Sequence, residues 1–315
     1  MLRITDARTG HLVDAAPVRR GLTRVEAHTE GFDATALRVM VVADLLVRAL
    51  ELGGTPVWAL LRADRGRPQM RTAAAALGVR PFEEDGHAEA GLGEAQILHV
   101  VAEGGAAPDG VRVAVAAVPA DGFEAPTEHH GPDGGSTVPA ASGTAAGSGR
   151  PGGPDAPDRP AGADGPVGGD AADAGPRPGA PAPPAPAPPA SASLAPGVPP
   201  GLTDPAALRL VLLSHPRATP VRLDPAAVTG AARTLAHWRR SVADWARHPS
   251  RPVPDPVRAR LRSAWENDLD AVGVLAVLRD VEHAPDLPDG ARFETFARAD
   301  RLLGLELTRD LGTPA

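Results

Sequence analysis

The sequence predicts an α/β protein in which a block with a parallel sheet is joined by a long linker to an all-helical bundle. Three observations lead to this fold class. Strand-like runs alternate with helical patterns over residues 1–120, residues 121–200 are dominated by proline, alanine and glycine, and residues 201–315 show helical periodicity alone. Strands that alternate with helices are typical of parallel sheets. We therefore expect a sheet block at 1–120, a linker at 121–200 and a helical bundle at 201–315.

The first block shows the strand and helix order of a Rossmann-like fold. Strands are predicted at 2–5, 22–27, 55–61, 96–102 and 111–118, and helices at 34–52 and 69–77. The first helix is apolar nearly all round, apart from a stripe of Asp44, Arg48 and Glu51. We expect this helix to be largely buried, with the stripe as its solvated edge. The Asp44–Arg48 pair at i,i+4 would then give modest surface stabilisation.

Asp-Pro pairs mark the predicted helix starts in the second block, at 204–205, 224–225 and 255–256. Aspartate accepts a hydrogen bond from a free backbone N–H at a helix cap, and proline fits the first turn because its N–H would have no partner there. Further helices are predicted near 269–281 and 289–303. Together these helices indicate a small bundle.

The linker is predicted to be disordered. The 36 prolines and 35 glycines of the chain are too many for a sequence that packs throughout, and they are concentrated in this segment. The linker lacks the apolar side chains needed to offset an ordering cost of roughly 1–2 kcal/mol per residue. Its proline-rich end is expected to form an extended, fairly stiff spacer.

Two residue types that carry much of enzyme chemistry are absent. The chain has no cysteine and no lysine, so its 32 basic residues are all arginine. Without cysteine there is no disulfide, thiolate nucleophile or cysteine-ligated zinc. Without lysine there is no P-loop lysine and no Schiff base. Either a codon bias across the gene or a loss of function would explain the missing lysine. In both cases the chain lacks the chemistry of a lysine side chain.

Charge and hydropathy narrow the range of partners. A net charge of −7 and an aromatic content of 3% argue against tRNA or another nucleic acid as a ligand. The arginines of the second block, such as Arg239 and Arg240, are interleaved with acidic residues, as on solvated helix faces. No apolar stretch approaches the roughly 20 residues of a membrane span, and residues 1–4 show no signal-peptide core. We expect a soluble, cytoplasmic protein.

Several stretches of both blocks resemble one enzyme family. The runs VEAHTEGFDAT at 25–35 and MVVADLLVRAL at 40–50 resemble the nucleotide-binding segment of class I cysteinyl-tRNA synthetases. They are closer still to the mycothiol ligase branch, which joins cysteine to glucosaminyl inositol. DPAALRLVLLSHPR at 204–217 and WENDLD at 265–270 are similar to the segment after the synthetase's mobile loop and to its helical bundle. The resemblance implies that the first block is a class I synthetase-like remnant.

The chain departs from this family where the family performs its chemistry. The family's His-x-Gly-His signature holds the ATP phosphates, but here Thr35 is followed directly by ALRV at 36–39. The first zinc ligand of the family is the cysteine of a Cys-Gly pair, and the positions that match this pair are Ala27 and His28. The other zinc ligands and the lysine-containing loop fall where the linker stands, and the histidines at 129–130 suggest adventitious metal binding at most. The resemblance implies a truncated, degenerate paralogue without catalytic residues, metal site or bound cofactor.

Four residues of the first block are candidates for a residual ligand pocket: His28, Asp33, Thr35 and Arg38. His28 lies where the family's pocket would be, or it is an ordinary histidine at a strand end. Asp33 and Thr35 either touch a ligand or cap the following helix. Arg38 either binds an anion near a helix N-terminus, where free N–H groups favour negative charge, or is a solvated or paired arginine.

Two functional hypotheses follow from the sequence, and the chain's status as an enzyme stays open between them. The first is a catalytically inactive relative of the ligases, kept for an interaction with a protein partner or with copies of itself. The second is an active ATP-dependent ligase of cysteine or another amino acid, with a site rebuilt around the four candidate residues. ATP is a cofactor only under the second hypothesis.

Overall fold

A computed structural model of the chain describes residues 1–17, 21–84, 94–119 and 204–312. All of these residues lie within one compact unit, to which both predicted blocks contribute. The predicted linker at 121–200, with its histidine pair at 129–130, lies outside the described residues. Within the described residues, none of the helices combines the length and apolar character that crossing a membrane requires.

The strands form a parallel sheet and a separate short ribbon. They are β1 (Arg3–Thr5), β2 (Leu12–Asp14), β3 (Leu22–Thr29), β4 (Val57–Ala63), β5 (Glu83–Glu84), β6 (Glu94–Ala102) and β7 (Val111–Val115). The last five make one sheet in the order β5-β4-β3-β6-β7, with every neighbouring pair parallel. This confirms the predicted Rossmann-like parallel sheet.

The segment predicted as the first strand of the block lies outside this sheet. β1 pairs antiparallel with β2, which the sequence pattern did not predict. The two strands lie only a few residues apart, and Gly10 adopts a left-handed backbone between them. A connection this short can form an antiparallel pair but not a parallel crossover. β5 was also not predicted, because a two-residue strand has no periodicity to read.

The helices are α1 (Ala34–Leu52), α2 (Arg67–Ala76), α3 (Pro205–Leu213), α4 (Pro225–Trp245), α5 (Asp255–Glu266), α6 (Ala271–His283) and α7 (Asp289–Leu303). Asp204 and Asp224 cap α3 and α4 as predicted, with side chains that accept from Ala206 N at 3.1 Å and Ala227 N at 2.6 Å. The third Asp-Pro pair differs. Asp255 is itself the first residue of α5, after Pro254, and gives no side-chain cap.

Helix α1 is buried because it lies between the sheet and the C-terminal helices. One side contacts β3 and β6, and the other contacts α3 and α7. The predicted solvated edge is therefore wrong for Asp44, whose side chain is 0% exposed. Asp44 pairs with Arg48 at 2.8 Å, as predicted, but also with Arg209 of α3 at 2.6 Å. The C-terminal block covers Asp44, whereas Glu51 stays exposed as predicted.

This buried cluster binds the two blocks together. Arg209 also donates to the carbonyls of Leu77, at 3.2 Å, and Leu303, at 2.6 Å. Burial would raise the pKa of Asp44, but the charges and hydrogen bonds of Arg209 and Arg48 outweigh it and hold that pKa below its usual range. Asp44 is thus an ionised carboxylate in the protein interior.

Arg239 of α4 is also buried instead of solvated. Its guanidinium donates to the carbonyls of Leu305, at 2.9 Å, and Glu306, at 3.1 Å, and pairs with Asp204. These carbonyls lie in the turn just beyond α7, where the backbone has no helical partner for them. The prediction of a solvated face is wrong here because the chain after α7 folds back over α4.

Candidate functional site

A cavity of about 510 Å³ opens at the carboxyl ends of β3, β4 and β6. Open α/β sheets bind their ligands at this edge. The ionisable side chains of its wall are mainly acidic, with one arginine and one histidine: His28, Glu30, Asp33, Arg62, Asp64 and Glu103. Three of the four predicted pocket residues, His28, Asp33 and Thr35, line this cavity.

Asp33 and Thr35 line this cavity, and both are held by the backbone around them. The Asp33 carboxylate accepts from Ala36 N at 2.7 Å and caps α1. The Thr35 hydroxyl accepts from Val118 N at 3.0 Å, which ties the start of α1 to the segment after β7. Both hydrogen bonds are structural: one caps α1 and the other holds the segment after β7.

Arg38 lies away from the cavity and is fully buried. Its guanidinium donates to the carbonyls of Ala116 at 2.9 Å, Pro216 at 2.8 Å and Thr219 at 2.7 Å. Burial lowers the pKa of Arg38 to about 10, so it stays protonated at neutral pH. The structure therefore places this arginine at the join between the first block and the α3–α4 connection, where it satisfies buried carbonyls.

His28 belongs to a polar cluster on the sheet face opposite α1. Glu26 and His28 are two residues apart on β3 and share a face, and His99 of β6 is in register with Glu26. His28 Nε2 lies 3.3 Å from Glu26 Oε2, and His99 Nδ1 lies 3.2 Å from the same oxygen. The two ring nitrogens are 3.0 Å apart. Three potential ligand atoms thus converge on one point.

The second oxygen of Glu26 is held by two arginines. Oε1 lies 3.0 Å from Arg24 Nε and 3.1 Å from Arg62. Burial would raise the pKa of Glu26, but hydrogen bonds from His28, His99 and Arg62 outweigh it and keep that pKa far below its usual range. Glu26 is therefore ionised at neutral pH, and its Oε2 is directed at the two imidazoles.

The three residues of the cluster differ in solvent exposure. Glu26 and His99 are 2% and 1% exposed, whereas the His28 side chain is 18% exposed and lines the cavity. Gly110 lies against the His99 ring, where an added Cβ would come within 2.9 Å of Nε2 and Cδ2. Glycine at this position therefore leaves room for the imidazole to lie beside Glu26.

The zinc site of the resembling family does not fit this chain. The position of its cysteine ligand is Ala27, whose methyl group is fully buried in the core on the opposite face from Glu26 and His28. A methyl group offers no lone pair, and the chain contains no cysteine to replace it. Any cation bound beside β3 must use other residues.

Reasoning from the sequence identified His28 but missed Glu26 and His99. The overlooked signal was a Glu-x-His spacing at the end of the predicted strand 22–27; the strand continues to Thr29, which places both side chains on one face. A second signal was His99 in the middle of the otherwise apolar strand predicted at 96–102. Their meeting further required that β6 lie beside β3, which strand patterns do not show.

Comparison with known proteins identifies ligases similar to this chain, although no protein-family model matches it. Each ligase is named L-cysteine:1D-myo-inositol 2-amino-2-deoxy-alpha-D-glucopyranoside ligase. That of Beutenbergia cavernae is 40% identical over 108 residues, which are 33% of this chain and 25% of the ligase. That of Parafrankia sp. is 43% identical over 75 residues, 24% of this chain and 16% of the ligase. That of Acidothermus cellulolyticus is 35% identical over 105 residues, 33% of this chain and 25% of the ligase.

These alignments confirm the resemblance to mycothiol ligases that the sequence motifs indicated. Over about a third of its length the chain is a partial, diverged homologue of these ligases. The matched segment spans about a quarter of the length of the Beutenbergia cavernae enzyme. The similarity therefore supports a ligase-like origin, and the activity of the whole enzymes does not pass to this chain with it.

Proposed function

We propose that this chain is a non-catalytic relative of the cysteine ligases that acts in the cytoplasm through an interaction with a protein partner or with a second copy of itself. The observation that carries the proposal is the character of the cavity where a nucleotide would bind. Its wall presents the carboxylates of Glu30, Asp33, Asp64 and Glu103. Carboxylates repel phosphates, and a triphosphate carries several negative charges into any site that it enters.

The groups that would have to neutralise those phosphates are committed elsewhere. Arg38, the arginine nearest the start of α1, donates to three backbone carbonyls. Arg62 reaches the cavity wall but pairs with Glu26. The N-terminal turn of α1, where an anion would find free N–H groups, is capped by the negative charge of Asp33. The site therefore disfavours ATP, and with it the adenylation step of a ligase.

An interaction role agrees with what the chain retains. The first block and the C-terminal helices pack against each other, and the buried ion pair Asp44–Arg209 joins them. A buried ion pair is costly to desolvate and holds its partners in one arrangement when its geometry is complete. A compact unit whose cavity, in the part of the chain that the structure describes, is walled by carboxylates is suited to presenting a surface. A tRNA partner is left out of the proposal, because the chain carries a net charge of −7.

The second candidate function is an active ATP-dependent ligase with a rebuilt site. The cavity itself favours this alternative, because about 510 Å³ is enough for a small ligand and it lies at the edge of the sheet where such ligands bind. A nucleotide would then have to enter with a divalent cation between its phosphates and the wall carboxylates.

Exchange of labelled pyrophosphate into ATP in the presence of cysteine separates the two functions. The Acidothermus cellulolyticus ligase serves as the positive control. We expect the full chain to show no exchange above background at any protein concentration. Exchange that rises with the amount of protein and is lost in an Asp64→Asn variant would overturn the non-catalytic proposal in favour of the rebuilt site.

Sedimentation velocity tests the interaction half of the proposal. We expect the full chain to sediment either as a dimer or larger species of its 32.2 kDa subunit, or as a complex when it is mixed with the ligase. A chain that stays monomeric at tens of micromolar, alone and in the mixture, contradicts an interaction with itself and with the ligase.

A further inference from the structure

The cluster of Glu26, His28 and His99 has an arrangement that hydrogen bonding cannot satisfy. Its three facing atoms form a triangle with sides of 3.0, 3.2 and 3.3 Å. If both ring nitrogens carry protons, two donors face each other at 3.0 Å. If only one carries a proton, the lone pair of the other faces the lone pairs of the carboxylate. While Glu26 is a carboxylate, every placement of protons on these two ring nitrogens therefore leaves at least one repulsive contact in the triangle.

We propose that these three residues bind a divalent transition-metal ion of the zinc class, through His28 Nε2, His99 Nδ1 and Glu26 Oε2. A cation at the centre of the triangle accepts all three lone pairs at once and removes the repulsion. The site is new with respect to the family, since it lies on the opposite sheet face from Ala27. The proposal is independent of whether the chain is catalytic.

The distances agree with those of a metal site. Zinc lies about 2.0–2.2 Å from nitrogen and carboxylate ligands, so two ligands of one tetrahedral ion are about 3.3 Å apart. The observed separations of 3.0 to 3.3 Å need little adjustment to meet that value. Two imidazoles and one carboxylate form a common catalytic zinc set, and the same set also suits ferrous iron.

The surroundings support the ligands and give the ion a route of entry. Arg24 and Arg62 hold the other oxygen of Glu26, which fixes the carboxylate orientation as second-layer partners do at metal sites. His28 connects the triangle to the cavity, so an ion reaches it from solvent and keeps a coordination position on that side. The positive charge of the two arginines opposes a cation, and the wall carboxylates of Glu30, Asp64 and Glu103 offset it.

Isothermal titration of the full chain with zinc chloride tests the site. The protein is prepared without a polyhistidine tag, because added histidines would compete for the metal. We expect one zinc ion per chain in the wild type and at least a tenfold weaker affinity in His28→Ala. His28→Ala is chosen because the His28 side chain is partly solvated, so we expect the variant to fold. His28→Gln keeps a polar side chain and carries the test if His28→Ala does not fold.

Two controls locate the binding. His237→Ala removes another histidine that contacts a carboxylate, Glu282, at 2.6 Å on an exposed helix surface, and should leave zinc affinity unchanged. A His129→Ala, His130→Ala double variant removes the neighbouring histidines of the linker and should also have no effect. The proposal is overturned if the wild type binds no zinc, if His28→Ala and His28→Gln bind as the wild type does, or if only the double variant loses the metal.

Discussion

Asp44 of α1 and Glu26 of β3 are both buried carboxylates, with 0% and 2% of their side chains exposed. Each is ionised because nearby groups outweigh the effect of burial on its pKa. Around Asp44, both oxygens face the guanidinium groups of arginines: Arg48 and Arg209 on Oδ2, and Arg80 on Oδ1. Around Glu26, only Oε1 meets arginines, and Oε2 faces two imidazoles that cannot both be satisfied.

The difference between the two clusters separates a structural charge from a functional one. Burial and a shifted pKa are common to both, so neither property marks a site by itself. In the Asp44 cluster both carboxylate oxygens face guanidinium donors, and the cluster lies between the two blocks. The Glu26 cluster has an unsatisfied triangle and opens through His28 to a cavity. An incompletely satisfied polar group beside solvent is the better indicator of a ligand.

The largest expected effect is the loss of stability on removing Asp44. Asp44→Ala leaves the guanidinium of Arg209 buried without its counter-charge, and breaking a buried pair in this way costs about 3–5 kcal/mol. Urea unfolding followed by circular dichroism measures the change in free energy. The control is Asp255→Ala, which removes an exposed pair with Arg258 and should cost under about 1 kcal/mol. Equal losses in the two variants would contradict the assignment of Asp44 as the closed, structural charge.

A smaller loss is expected on neutralising Glu26. Glu26→Gln keeps the side-chain volume and removes the charge that faces Arg24, Arg62 and the imidazoles. Those arginines are partly solvated, so water replaces part of their interaction with the carboxylate. We therefore expect the free energy of unfolding to fall by about 1–3 kcal/mol. Urea unfolding of the metal-free protein gives the value. A loss larger than that of Asp44→Ala would show that Glu26 is the more important structural charge of the two.

Acidification should weaken the Asp44 cluster. The folded pKa of Asp44 lies below its unfolded value, so its stabilisation is complete above about pH 4 and is lost as the pH falls through the folded pKa. Burial raises the pKa of Asp300, which therefore contributes in the opposite sense and favours folding at low pH. We expect the unfolding free energy of the wild type to fall as the pH drops below about 4, and to fall less steeply in Asp44→Asn. Identical slopes would contradict a coupled, ionised Asp44.

The smallest effect on stability is expected at His28. His28→Ala removes a partly exposed ring and one repulsive contact, so the unfolding free energy of the metal-free protein should change by less than about 1 kcal/mol. With excess zinc, the wild type should melt at a higher temperature than without it, and His28→Ala should show a smaller shift because it binds zinc more weakly. A zinc-induced shift of the same size in both proteins would place the metal elsewhere.

Local signals predicted the elements well. The bounds of α1 at 34–52 agree with the prediction, because Asp33 begins the helix and Gly53-Gly54 ends it by local chemistry. The bounds of α7 agree for a similar reason, with Gly304 in a left-handed conformation just after its last residue. Such signals act over one turn of helix and can be read from a short stretch of sequence.

Contacts between distant parts of the chain could not be predicted in this way. The partner that buries Asp44 lies 165 residues further along, so nothing near Asp44 distinguishes it from a surface residue. His99 meets Glu26 across 73 residues because of the strand order of the sheet. His28 was identified because it adjoins a motif of a known family, and the other two residues of the cluster belong to no such motif.

Zinc-edge X-ray absorption of the stoichiometric zinc complex in solution tests the central claim most directly, because it counts the imidazoles on the metal. We expect two imidazole ligands and oxygen ligands at about 2.0–2.2 Å in the wild type, and one imidazole fewer in His28→Ala loaded at higher zinc concentration. A spectrum without imidazole scattering, or the same imidazole count in both proteins, would contradict the assignment of Glu26, His28 and His99 as an open metal site.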